Sequence, residues 1–114
     1  MYDDKNPFAK ILRNELPVEK IYEDQFVLAF KDIAPVAPTH ILVIPKKYVA
    51  DYQEFIEQAT EIEIVSYFKA ITHIVDMLEL DSYRLITNKG YKSGQSVFHF
   101  HTHIISGSHI TNLI

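Results

Sequence analysis

A chain of 114 residues with 47% apolar content can bury one hydrophobic core but not two, so a single domain over residues 1–114 is expected. The absence of cysteine excludes disulfides and thiolate metal sites, and a net charge of −4 speaks against nucleic acid as the principal partner. No apolar run approaches the ~18 residues of a membrane span, and the acidic start Met1-Tyr2-Asp3-Asp4-Lys5 has no leader-like apolar core; a cytoplasmic protein with neither a nucleic-acid nor a membrane partner is expected.

Asn6-Pro7 followed by Phe8, Ile11 and Leu12 predicts a short helix, with Asn6 as cap and Pro7 at the first helical position. Leu16-Pro17 ends it. Lys20 to Glu23 and Phe26 to Lys31 read as two strands around a Glu23-Asp24-Gln25 turn. Asp32 opens a connection stiffened by Pro35 and Pro38, and taken alone it is an ordinary turn aspartate. The connection leads into His40-Ile41-Leu42-Val43-Ile44-Pro45, a buried strand that begins with a histidine. Lys46-Lys47 reads as a solvated pair.

Asp51 to Gln58 predicts a short helical turn, and from Thr60 to Leu80 the residues Ile64, Val65, Phe68, Ile71, Val75 and Leu78 recur at helical spacing, which predicts one long amphipathic helix with His73 on its surface. Glu61 and Glu63 suit the positive end of its dipole. Tyr83 to Thr87 is a strand. The loop from Asn88 to Gln95 holds Gly90 and Gly94, two of the three glycines, and brings Asn88, Gly94, Gln95 and Ser96 beside the next strand. Glycine allows backbone amides to approach an anion closely.

That strand is the centre of the chain. In Ser96-Val97-Phe98-His99-Phe100-His101-Thr102-His103-Ile104-Ile105, histidine occupies every second position. Extended backbone sends successive side chains to opposite faces, so the pattern predicts His99, His101 and His103 on one face and Phe98, Phe100, Thr102 and Ile104 on a core face. A lone histidine on a strand is usually a packing residue. Three in register are harder to explain that way, since each unpartnered buried imidazole costs about 1–3 kcal/mol. A metal site, with His40 as a fourth ligand, and a nucleophilic site both remain open on spacing alone.

The stretch His99-Phe100-His101-Thr102-His103-Ile104-Ile105 resembles the signature of the histidine triad family, His-φ-His-φ-His-φ-φ with φ apolar, Thr102 being the one polar departure. The likeness extends in order through Phe8 to Leu12, Leu28 to Ile33, Ala37 to Lys47, Asn88 to Gly90 and Gly94 to Val97, all similar to the Hint-like, nucleotide-binding branch. The resemblance implies an α+β fold of the HIT type: an antiparallel five-stranded sheet with one long helix and a short N-terminal helix, joined as a homodimer. It implies a purine nucleotide site in which Phe8, Ile11, Phe30 and Ile33 wall the base and Asp32 accepts from the ribose. Asn88, Gly94, Gln95, Ser96, His99 and His103 would surround the phosphate. His101 would be the nucleophile, with His40 completing the cluster, and neither a cofactor nor a metal is required.

The implied function is purine nucleoside phosphoramidate hydrolysis through a nucleotidyl-histidine intermediate, releasing a nucleoside monophosphate. His101 would donate its second ring nitrogen to the carbonyl of His99, and Ser96 would steer a proton to the leaving amine. With an ordinary histidine pKa near 6.5, activity is expected to fall below that pH. The alternatives are a dinucleoside polyphosphate hydrolase and a metal-binding or nucleotide-binding interaction protein. A histidine at the third triad position separates the chain from nucleotidyl transferases, where glutamine is usual. The tail lacks the Trp-Pro-Pro element of many Hint-like proteins, leaving the preferred leaving group unassigned.

Overall fold

The computed structural model describes residues 1–107; the apolar tail, expected to dock or fray, lies outside them. Asn6 caps α1 (Pro7–Leu12), its Oδ1 accepting from the amides of Phe8 and Ala9 at 3.0 Å each. Asn14, with φ of 61°, then turns the chain in the left-handed region that asparagine tolerates. β1 (Lys20–Glu23) and β2 (Val27–Lys31) form a hairpin closed by Asp24, which accepts from the amides of Phe26 and Val27 and from the Tyr22 hydroxyl. β3 (Thr39–Pro45) follows, then α2 (Tyr52–Gln58), α3 (Glu61–Met77), β4 (Arg84–Ile86) and β5 (Thr102–Ser106).

The five strands make one antiparallel sheet in the order β1-β2-β3-β5-β4. Its central strands are buried on both faces, and their period of two sorts the side chains. Val27, Ala29, Ile41, Val43 and Ile104 join the core under α3, while Leu28, Phe30, Leu42 and Ile44 pack with Phe8 and Ile11 of α1. The sheet is therefore the middle layer, with the long helix on one face and the short one on the other. By the same alternation Asp32, His40 and His103 fall on the α1 face.

α3 begins with a complete capping box between Thr60 and Glu63. Its buried face is Tyr67, Ala70, Ile71, Ile74 and Val75, which corrects the expected stripe: Val65 and Phe68 are about half exposed. Tyr67 replaces them because its hydroxyl finds partners inside, 2.8 Å from the Val43 carbonyl and 2.8 Å from Thr102 Oγ1. This explains the polar Thr102 in an otherwise apolar position, since a buried tyrosine hydroxyl needs somewhere to bond. The expected triad strand is also shorter than read: pairing with β3 begins only at Thr102, opposite Val43.

Replacing Tyr67 by Phe leaves the ring packed against Phe55 and Phe100 but strands Thr102 Oγ1 in the core. A loss of about 1–3 kcal/mol is expected, measured as a lowered urea midpoint with an unchanged slope.

Candidate active site

A cavity of about 410 Å³ opens on the α1 face of the sheet. Its apolar wall is made by Phe8 and Ile11 of α1, Phe30 of β2 and Leu42 of β3. Leu16, Pro17 and Val18, which the sequence reading did not single out, complete that wall. Ile33 stands at the rim, 94% exposed. The polar side consists of Lys31, Asp32, Ser96, His101 and His103. The Phe8 ring meets Phe30 and His101 edge-on, with centroids 5.5 and 5.0 Å away, so the aromatic wall also braces one imidazole.

Not all predicted site residues arrive. His99 is fully buried and absent from the cavity wall, contrary to the expected row of three imidazoles. The reason is local. Residues 98–101 lie outside β5, and Phe100 donates instead to the Val49 carbonyl beyond the end of β3, at 2.9 Å. Phe100 still takes the expected core face, while Phe98, outside the ladder, is 40% exposed rather than in the core. Gln95 is buried too, its amide spent on the Gly90 amide and on the carbonyls of Ala50 and Val97. It braces the loop and has no free donor for a ligand. Asn88 and Gly94 adjoin each other in that loop, and neither forms part of the cavity wall.

Every proton in the histidine cluster can be assigned from its partners, because an amide N–H only donates and a carbonyl only accepts. His101 Nδ1 lies 2.7 Å from the His99 carbonyl, so Nδ1 carries the proton and Nε2 keeps its lone pair. The Val36 amide donates to His40 Nδ1 at 3.1 Å, which places the His40 proton on Nε2. That proton points to His103 Nδ1, 2.9 Å away, with Asp32 Oδ2 at 3.4 Å beside it. His103 must then carry its own proton on Nε2. His99 donates from Nε2 to the Pro45 carbonyl at 2.8 Å and accepts at Nδ1 from the Tyr2 hydroxyl at 2.6 Å. Asp32 is at once the expected turn residue, its Oδ1 accepting from the Ala34 amide, and part of the cluster.

Burial disfavours the charged form of three of these rings. It pushes His99 and His103 down to about 4, and it lowers His101 against the opposing pull of the His99 carbonyl. A second consequence concerns metals. Asp32, His40 and His103 bring three ligand atoms within 4.8 Å, the one such group among the described residues. A metal at His40 Nε2 would need the lone pair there and the proton on Nδ1, where the Val36 amide already points. His99 has both nitrogens engaged. The four-histidine metal site considered from sequence therefore has no matching set of lone pairs.

The HIT domain model matches residues 13–110. The chain belongs to the HIT family. An uncharacterised HIT-like protein of Rickettsia prowazekii is 55% identical over 116 residues, covering all of this chain and 97% of its own length. A 14 kDa zinc-binding protein of Zea mays is 43% identical over 109 residues, covering 92% and 84%. Among solved structures, a HIT family hydrolase from Clostridium thermocellum superposes with a TM-score of 0.84 at 37% identity, covering 98% of each chain. A hypothetical histidine triad nucleotide-binding protein from Sulfolobus tokodaii gives 0.74 at 38% identity, covering 86% of this chain and 66% of its own. The α+β fold with a five-stranded antiparallel sheet is that of these HIT structures, and the helical turn expected over Asp51 to Gln58 is α2.

A histidine held below its unfolded pKa near 6.5 gives stability that is complete above that value and is lost as pH falls, because the unfolded chain takes up a proton the folded one refuses. For His99, lowered to about 4, the full loss is about 3 kcal/mol. His101 and His103 add in the same direction. The urea midpoint is therefore expected to drop between pH 6.5 and pH 5, above the range where carboxylates titrate; a flat midpoint there would contradict the buried neutral cluster.

Proposed function

We propose that this HIT protein hydrolyses purine nucleoside phosphoramidates through a covalent nucleotidyl-histidine intermediate on His101. The observation that carries the reading is the 2.7 Å bond from His101 Nδ1 to the His99 carbonyl, which leaves the Nε2 lone pair at the cavity wall. Similarity to the hydrolase from Clostridium thermocellum and to the nucleotide-binding protein from Sulfolobus tokodaii supports the same class of reaction.

The base lies between the apolar side chains of Phe8, Ile11 and Phe30, with Ile33 at its rim, and the ribose hydroxyls donate to Asp32. His101 Nε2 attacks the α-phosphorus as the P–N bond to the leaving amine breaks. The electron pair of that bond goes to the amine nitrogen, which takes a proton from Ser96, itself reprotonated by solvent. His103, with its Nε2–H, stabilises charge on the phosphoryl oxygens. His40 supports it by donating to His103 Nδ1. Water then attacks phosphorus, the P–Nε2 bond breaks, and the monophosphate leaves with His101 neutral again. Gln95 holds the loop that leads to Ser96, and His99 holds His101.

Purified protein is expected to release AMP from adenosine 5′-phosphoramidate faster than from a diadenosine polyphosphate, equally with and without EDTA. His101→Ala is expected to lower the rate by at least ~10³-fold, as loss of a nucleophile does. Faster polyphosphate cleavage would make the enzyme a dinucleoside polyphosphate hydrolase, and sensitivity to EDTA would restore a metal reading. Since burial lowers His101, the acid limb of kcat/KM should lie below pH 6.5 rather than at it. An acid limb at or above 6.5 would mean that the nucleophile titrates as an exposed imidazole.

We also propose a homodimer, with a second copy covering the β4 edge of the sheet and the outer side of α3. Leu85 on β4, Tyr83 just before it, and Val65 and Phe68 on α3 are each about half exposed. The double variant Leu85→Glu, Phe68→Glu is expected to run as a monomer in light scattering while the unaltered protein runs as a dimer.

A further inference from the structure

The residue whose carbonyl aims the nucleophile is not itself held by the sheet. His99 lies three positions before β5 begins, and in the stretch from Phe98 to His101 the backbone is tied down by one amide bond, Phe100 to Val49, and by Thr87 Oγ1 donating to the His101 carbonyl at 2.7 Å. The position of the His99 carbonyl therefore depends on the His99 side chain. That ring is pinned at both ends: Nε2–H to the last carbonyl of β3 at Pro45, and Nδ1 to Tyr2.

Tyr2 is suited to the second role. Its hydroxyl has one proton, and Asn6 Nδ2 donates to the oxygen at 2.8 Å, so that proton is directed to His99 Nδ1 at 2.6 Å. The opposite side of the Asn6 amide caps α1, the helix that carries Phe8 against His101. The Tyr2 ring is stacked on Tyr48 at 5.2 Å and meets the His99 ring edge-on at 5.7 Å, which fixes its approach.

We propose that Tyr2 is a positioning residue for the nucleophile: by donating to His99 Nδ1 it locks the His99 ring, and with it the carbonyl that holds the His101 proton on Nδ1. The proposal rests on the nucleotidyl-histidine reading for its effect on turnover, but the arrangement of protons it describes exists without substrate. Losing the Tyr2 hydroxyl leaves a buried ring nitrogen without a donor, and His99 relieves this by turning or changing tautomer. Either response moves its carbonyl and frees the His101 proton to exchange between the two ring nitrogens.

Tyr2→Phe keeps the stack on Tyr48 and removes only the hydroxyl. Long-range proton–nitrogen NMR on protein labelled at histidine is expected to show His101 wholly in the Nδ1–H form in the unaltered protein and as a mixture of both tautomers in Tyr2→Phe. With adenosine 5′-phosphoramidate, kcat is expected to fall roughly ten- to a hundredfold, as for a misplaced reacting group, with KM changed less than about twofold. Tyr48→Phe, which leaves the Tyr2–His99 bond in place, should show neither change. An unchanged His101 tautomer in Tyr2→Phe would overturn the proposal whether or not the protein turns over phosphoramidates. A shifted tautomer with no turnover in the unaltered protein would sink the proposed reaction and leave the positioning role standing.

Discussion

A neutral imidazole has one donor and one acceptor, and in this protein the backbone uses up the donor of His101. Because the His99 carbonyl takes the Nδ1 proton, the only group His101 can present to the cavity is a lone pair. The other three histidines obey the same constraint from different directions: an amide at Val36 for His40, the His40 proton for His103, and Pro45 with Tyr2 for His99. Burial reinforces it at His99, His101 and His103 by disfavouring their charged forms, so that their tautomers are set by fixed partners rather than by solvent. That combination suits nucleophilic chemistry and works against metal ligation at the same atoms.

The sheet turns this local chemistry into a site. Its central strands are apolar on both faces, which lets α3 cover one side and leaves the other for α1 and the cavity. His40 on β3 and His103 on β5 reach the same face because their strands are neighbours in the sheet and side chains alternate along each. The hairpin of β1 and β2 contributes Phe30, and the proline-stiffened connection after it contributes Asp32 and Ile33. A hollow of about 410 Å³ with an apolar end and a polar end thus follows from a three-layer packing that stability alone would favour.

Much of this was legible in the chain. The cap at Asn6, the stop after Leu12, the hairpin around Asp24 and the long helix after Thr60 all depend on residues within four positions of one another, and propensity with periodicity finds such features. The clustering of His40, His101 and His103 with Asp32 and Phe30 was readable only through the resemblance to histidine triad proteins, since these residues are far apart in sequence. The stripe of α3 was misjudged because apolarity ranked Phe68 above Tyr67, and the partners that make Tyr67 a core residue sit on β3 and β5. The side chains of Gln95 and His99, expected around the phosphate, stand outside the cavity wall for a similar reason, while the His99 carbonyl meets His101 Nδ1 as expected. Both look like ligand groups, and both are consumed by carbonyls brought in from elsewhere in the fold.

Residue order alone sets the local elements, the alternation that sends two histidines and an aspartate to one face, and the family to which they belong. These follow from backbone geometry and short-range spacing. Packing against β3 sets where β5 begins, and it puts the His99 ring against the last carbonyl of β3, outside the cavity wall. The tertiary structure also brings Tyr2 to His99 across 97 residues. Neither is visible in a one-dimensional pattern, because a hydrogen bond between distant residues depends on the packing of every layer between them, and no residue near Tyr2 in sequence carries a trace of the partner it will meet.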